Sequence, residues 1–204
     1  LKNFRPKYFY HLAEPSNLSS IRRHGLLSAE RLMKLAQIEG EKLHSTLGQH
    51  RPGSLVLSNG VIIRDQSPMP PPALSRALPS SMTPSDWYRF LNGFVFLWAN
   101  RDRLNRHLGV FRKRPQVLLV FDAARLIKER GDALLLSPIN SGNAMRRAAP
   151  RSYDLFVPYR VWMKEGWPPV NGQHRSKSTA PAEIVLKEGL PLEPYLIDIH
   201  HPKS

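Results

Sequence analysis

The chain has 204 residues, 41% of them hydrophobic, and carries 30 Lys and Arg against 16 Asp and Glu, a formal net charge of +14. That length supports one domain with a sizeable core, and the composition is too apolar for a disordered chain. The complete lack of cysteine excludes disulfides, zinc–thiolate sites and a cysteine nucleophile.

A field of this sign attracts polyanions, so nucleic acid, DNA or RNA, is the first expected partner; a dinucleotide would gain from it too. No apolar run approaches the roughly 18 residues of a membrane span, and no signal-peptide core opens the chain. A cytoplasmic protein without membrane contact is therefore expected. The first residue is Leu1 and not Met, so the natural N-terminus is expected to be missing or processed.

Residues 8–12 are aromatic and read as a short buried strand ending near His11. Ser16 or Asn17 is placed to cap a helix that carries Leu18 and Ile21 inward, and Gly25 fits a left-handed stop. Residues 28–40 read as one further helix, capped by Ser28. Residues 41–54 are polar and expected to be looped. Two short apolar runs, 55–57 and 61–63, flank Asn59-Gly60, a strong hairpin signal. The five prolines between 68 and 79 predict an irregular connection or a mobile loop over a site. Thr83-Pro84-Ser85-Asp86 starts a helix.

Phe94–Ala99 is the most hydrophobic run and predicts a central strand, followed by a short helix over 101–108. Strands are expected at 116–122, 133–137, 182–186 and 196–199, with helical turns at 123–129. Residues 153–167 read as aromatic and irregular, and 168–180 as polar and flexible. Helices cluster early and strands late, without Rossmann alternation, a GxGxxG sequence or a P-loop. The pattern predicts a single mixed α+β domain over 1–204 around a largely antiparallel core.

Glu183 stands out as an acid within an otherwise apolar strand, where alternation puts it on the face of Val185. A carboxylate there needs a partner or a purpose; an edge position facing solvent or an arginine is the bland alternative. His11 is a lone histidine at a strand end, which structural satisfaction also explains. No HxxxH or HExxH spacing occurs, and His200-His201 would face opposite ways on a strand, so no metal is expected. No Gly-x-Ser-x-Gly elbow is present. Arg64 and Arg101 each follow an apolar strand and suit pyrophosphate, or an ion pair to Asp65 or Asp102. Arg112, Lys113, Arg114, Arg146, Arg147 and Arg151 are expected to meet nucleic-acid phosphates.

The order His11, aromatic strand 94–98, Glu183 resembles the diphtheria-toxin-like ADP-ribosyltransferases. His11, Asn17-Leu18, Ile21 and Gly25-Leu26 are similar to the N-terminal motif of DarT-like DNA ADP-ribosyltransferases. Gly25–Ser28, Arg64–Pro68, Phe96–Trp98 and Ala182-Glu183 resemble segments of a family of uncharacterised bacterial domains. The resemblance implies a split antiparallel β core with N-terminal helices, NAD as substrate, and a DNA base as favoured acceptor. RNA, a protein side chain, or an RNA 2′-phosphotransferase activity stay open within the same fold, as does a non-catalytic nucleic-acid-binding domain outside it. It further implies Glu183 as catalytic carboxylate and His11 at the ribose or nicotinamide. Asn17 would orient the dinucleotide, Phe96 or Trp98 would stack on nicotinamide, and Leu12, Leu18 and Gly25 would flank the cofactor. Arg64 or Arg101 would meet the pyrophosphate. For the family's functional arginine, Arg64 is preferred over Arg51 because it follows a strand. The Tyr-Val-Pro-Phe-Tyr-Phe segment of DarT-like chains is missing, and Phe94–Trp98 takes its place. A monomer is expected, with an antitoxin or immunity protein as a further partner.

Overall fold

The structure is a computed structural model that describes residues 4–110, 114–145, 149–170, 172, 174–176 and 179–202. Its strands are β1 (Tyr8–Ala13), β2 (Leu26–Leu27), β3 (Leu55–Val56), β4 (Ile62–Ile63), β5 (Phe94–Leu97), β6 (Val117–Asp122), β7 (Leu134–Ser137), β8 (Val157–Pro158), β9 (Glu183–Lys187), β10 (Gly189–Leu190) and β11 (Leu196–His200). The helices are α1 (Leu18–His24), α2 (Ala29–Leu35), α3 (Gly40–Gly48), α4 (Pro71–Ser75), α5 (Pro84–Asn92), α6 (Arg101–Val110), α7 (Ala123–Arg130) and α8 (Tyr159–Glu165). The fold is mixed α+β, and its strand pairs are antiparallel.

Two sheets carry the core. One has the order β1-β6-β11 and the other β5-β9-β7-β8. They touch through a single bridge, in which the Tyr10 amide donates to the Trp98 carbonyl at 2.9 Å and the Trp98 amide to the Tyr10 carbonyl at 2.8 Å. Beyond that rung β1 and β5 diverge. The hydrophobic run at 94–97, expected to be central, is thus an edge strand of its own sheet that lies at the seam, and β9, with Glu183, and β7 are the inner strands.

Side-chain alternation divides each strand between two apolar clusters. Leu97, Leu134, Leu136, Ile184 and Leu186 enter one cluster with Phe9, Leu119 and Trp162. Phe94 and Val185 enter the other with Trp87, Leu91 and Phe156. Glu183, on the face of Val185, is therefore aimed between β9 and α5 instead of at bulk water.

The local signals explain most elements. Asn59-Gly60 makes the turn between β3 and β4: the Gly60 amide donates to the Leu57 carbonyl at 2.9 Å, and Gly60 has φ 79°. Thr83 and Asp86 form a reciprocal capping box on α5. Four further expectations fail. The helix expected over 28–40 ends at Leu35, because Gln37 takes φ 60° and Gly40 φ 56°. The polar stretch after it holds α3, anchored by the one-turn pair Leu43 and Leu47. Residues 159–165 form α8, which buries Trp162 in the core. The proline-rich segment is not a mobile loop: Met69, Ala73, Leu74 and Ala77 are buried, and Pro71 begins α4 at the helix position that proline tolerates. Among the described residues no helix is long and apolar enough to cross a membrane.

Gly25 ends α1 with φ 77° and ψ −173°, and a Cβ there would sit 2.5 Å from the Leu190 carbonyl oxygen. The backbone needs glycine twice over, for its dihedral and for the approach of β10 to β2. Gly25→Ala is expected to destabilise the protein by about 3 kcal/mol in urea melts. Gly60→Ala, at φ 79° with nothing within 4 Å of the added atom, should lose only about 1 kcal/mol. Equal losses at both positions would show that the Leu190 contact is unimportant.

Candidate active site

Where the two sheets part, a cleft of about 300 Å³ opens against the β3–β4 hairpin and α5. It lies within the usual range for small-ligand pockets, at the lower end. His11, Leu12, Asn17, Gly25, Arg64, Phe96 and Glu183 all contribute to its walls. Residues more than 150 positions apart in the chain are thereby brought to one cavity.

His11 stands at the seam. Its Nδ1 lies 2.9 Å from the Phe96 carbonyl oxygen. A carbonyl only accepts, so Nδ1 carries the proton and Nε2 is left with a lone pair. Among the described residues Nε2 makes no hydrogen bond. Burial lowers the His11 pKa from 6.5 to about 4, the Phe96 bond opposing and the Arg64 charge adding to the fall. The ring is neutral at physiological pH and serves as an acceptor.

Glu183 is buried, and its Oε2 accepts from the Ser141 amide at 3.0 Å and the Ser141 hydroxyl at 2.7 Å. Oε1 takes no hydrogen bond among the described residues. Burial raises the carboxyl from 4.5 to about 7, against the Ser141 bonds and the charges of Arg151 and Arg103. A carboxyl poised there can hold or release a proton at neutral pH.

Arginines and their carboxylate partners also line the cleft. Arg64 Nε donates to Glu14 Oε1 at 2.8 Å, and Arg114 Nε reaches the same oxygen at 2.8 Å. Arg114 also pairs with Asp65 at 3.1 Å and with the Ser54 hydroxyl at 2.7 Å. Arg51, only 8% exposed, donates Nη2 to Asn92 Oδ1 at 2.8 Å. Its Nε and Nη1, with Arg64 Nη2, are buried without a hydrogen-bond partner among the described residues. Burial lowers the Arg51 pKa to about 10. These three nitrogens are closed to solvent as well as unpaired; the Arg64 side chain, 27% exposed, is the guanidinium open to an anionic ligand. Arg64 and Arg51, competitors in the sequence, line the same wall.

Other expected contacts fall elsewhere. Asn17 neither caps α1 nor is free for a ligand: its amide donates to the Ile62 carbonyl at 2.8 Å and its oxygen accepts from the Ile62 amide at 2.8 Å. It copies a strand's hydrogen bonds and ties β4 to the first turn. Leu18 packs against the core, outside the cleft lining. The Trp98 ring packs against His107 at 5.4 Å and does not line the cleft, whereas Phe96 and Phe94 do. Arg101 is exposed in the first turn of α6, outside the lining. Arg151 is fully buried and cannot meet a phosphate backbone, and Arg114 is committed to its carboxylates. Arg112, Lys113, Arg146 and Arg147 lie outside the described residues.

Glu14 and Ser141 were not singled out in the sequence. An acid directly after an aromatic strand was the available signal for Glu14; the Asn-Ser-Gly-Asn turn after β7 offered only a loop. Among the described residues no group of three or more His, Asp or Glu is placed to hold a metal ion.

Residues 7–193 match the family described as "Family of unknown function (DUF7002)". The chain belongs to this family. No curated protein and no solved structure matches it. The part of this DUF7002 chain that matches spans every residue lining the cleft, from His11 to Glu183.

The two buried groups set opposite pH trends. With its pKa raised from 4.5 to about 7, Glu183 keeps in the folded state a proton that the unfolded chain has lost, so its contribution falls as pH rises through that window. With its pKa lowered from 6.5 to about 4, His11 contributes stability above 6.5 that is lost as pH falls toward 4. Glu183→Gln, which keeps an oxygen for Ser141 without a charge, is expected to be more stable than wild type at pH 8 by on the order of 2 kcal/mol. The gap should close near pH 4.5 in thermal melts; a gap of the same size at both pH values would show that Glu183 is not desolvated.

Proposed function

We propose that the protein is an NAD-dependent ADP-ribosyltransferase that modifies nucleic acid, with a DNA base as the favoured acceptor. The observation that carries this reading is the meeting of His11, Phe96, Arg64 and a buried Glu183 in one cleft at the split between two antiparallel sheets. The split core and the early helices support the ADP-ribosyltransferase-like architecture that the sequence resemblance implies.

In this reading the nicotinamide riboside half of NAD enters the seam. Phe96 packs on the nicotinamide, and neutral His11 accepts from a ribose hydroxyl or the carboxamide through Nε2. Arg64, whose side chain is part-exposed, meets the pyrophosphate, and the buried charge of Arg51 lies behind it. The bond between nicotinamide nitrogen and ribose C1′ breaks, nicotinamide leaves with the electron pair, and positive charge develops on the ribose. Glu183 Oε1 faces that charge and stabilises it. The acceptor nitrogen then bonds to C1′ and passes its proton to Glu183, whose near-neutral pKa suits the transfer. Exposed arginines such as Arg22, Arg23, Arg101 and Arg106 supply the phosphate contacts that the net charge leads one to expect.

A second reading is favoured by Arg51 and Arg64 flanking His11. RNA 2′-phosphotransferases of the same fold class use NAD through arginine and histidine, and here such a basic wall is present. It predicts loss of a 2′-phosphate from RNA in the presence of NAD, insensitive to Glu183→Ala.

The test is transfer of labelled ADP-ribose from NAD to DNA, RNA and protein. Wild type is expected to label single-stranded DNA. Glu183→Ala should lose at least about 100-fold in rate, and the rate should climb through pH 7 as the carboxylate forms. Equal labelling by both proteins removes Glu183 from its role, and NAD-independent binding without turnover favours a purely binding domain. Arg51→Met is expected to raise KM for NAD by roughly 10-fold or more with a smaller change in kcat. Nucleic-acid affinity should fall steeply between low and moderate salt.

A further inference from the structure

Between β7 and the 3-10 turn at Tyr153–Leu155, the chain makes a connection that reaches Glu183 through Ser141. Ser137 closes its start by accepting from the Ile139 amide at 3.2 Å and donating to the Ile139 carbonyl at 2.8 Å. Asn140 turns it, its side chain accepting from the Gly142 amide at 3.0 Å. The turn presents both Ser141 donors to Glu183 Oε2. Two main-chain bonds tie the loop to the proline-rich segment: Ala144 donates to the Pro68 carbonyl at 2.8 Å and Arg151 to the Ala77 carbonyl at 2.8 Å.

The side chain of Arg151 fills the inside of this loop. It is 0% exposed. Nη1 donates to the Ala149 carbonyl at 2.7 Å, and Nη2 to the carbonyls of Asn143 and, at 3.5 Å, Asn140. Nε donates to the Ser141 carbonyl at 3.5 Å. The planar fork therefore gathers carbonyls on both sides of Ser141, a task that a lysine's point charge cannot copy. The burial of a full charge is balanced by these oxygens and by the nearby charge of Glu183, with Arg175 opposing.

We propose that Arg151 is a positioning residue for Glu183, drawing together the carbonyls of Asn140, Ser141, Asn143 and Ala149 so that Ser141 grips Oε2 and leaves Oε1 to the cleft. The role rests on the transferase reading only for its purpose; the geometry is testable without NAD. The charged groups acting on Glu183 are Arg151 itself and Arg103 of α6. Arg151→Lys keeps the charge and removes the fork, so it separates positioning from simple charge balance.

The experiment follows the Glu183 carboxyl by carbon-detected NMR in the full chain, the signal assigned with Glu183→Gln, together with amide exchange at Ser141. In wild type the Ser141 amide should exchange about 100-fold or more slowly than open loop amides. Ser141→Ala should raise the Glu183 midpoint, since the hydroxyl bond to the ionised form is lost while the amide bond stays, and Arg151→Lys should raise it in the same direction by about one unit. In the Ser141→Ala background Arg151→Lys should add a smaller shift, through the amide alone. A fast Ser141 amide in wild type overturns the proposal, and so does an Arg151→Lys protein with the wild-type midpoint and protection. In turnover, Arg151→Lys is expected to lower kcat about 10-fold or more with KM for NAD kept. Absence of NAD turnover by wild type would sink the transferase reading and leave the titration result standing.

Discussion

Two reciprocal main-chain bonds between Tyr10 and Trp98 join the edges of the three-stranded and four-stranded sheets, whose side chains share one apolar cluster. A full ladder between β1 and β5 would seal the layer and leave no room for a ligand. The ladder stops after one rung because the next bond is made by a side chain: His11 Nδ1 takes the Phe96 carbonyl that a neighbouring amide would otherwise fill. One histidine thus satisfies a strand edge, opens the seam and turns its second nitrogen toward the space it has made. Its neutrality follows from the same position, since a proton on both nitrogens would place a charge where water is excluded.

The cleft concentrates groups that the protein core would otherwise reject. A carboxyl with a raised pKa and two arginines with buried, unfilled donors line it together. Each lowers stability, and neither is explained by packing. Groups so perturbed cluster at functional sites. The Glu14 carboxylate, shared by Arg64 and Arg114, fixes the forward arginine without neutralising the wall.

How much of this was legible in the sequence depended on distance along the chain. The hairpin at Asn59-Gly60 and the capping box at Thr83 are written within four residues, and both are found. Glu183 was legible because an acid between apolar strand residues contradicts its surroundings. Arg51 gave no such contrast in a polar stretch. Its environment is assembled from Gln66 and Asn92, 15 and 41 residues away. Asn17 was placed correctly at the cleft and given the wrong task, because its partner Ile62 lies 45 residues on. The helix α3 was missed for want of apolar contrast: Leu43 and Leu47 are its buried pair in an otherwise polar turn sequence. Arg151, read as a surface charge, shows that a basic cluster does not reveal which of its members folds inward.

The strand order of the larger sheet has a consequence for synthesis. β5 and β7 leave the ribosome first, yet neither pairs with the other; both wait for β9, which is made later and fits between them. Pairings at this sequence separation form slowly, after the loop entropy has been met. Until β9 docks, its neighbours keep open edges and the seam has His11, Glu14 and both arginines but lacks the acid of β9. A growing chain therefore makes the arginine side of its cleft, already paired with Glu14, before Glu183 exists, and the cleft is completed only when residues 183–187 have emerged.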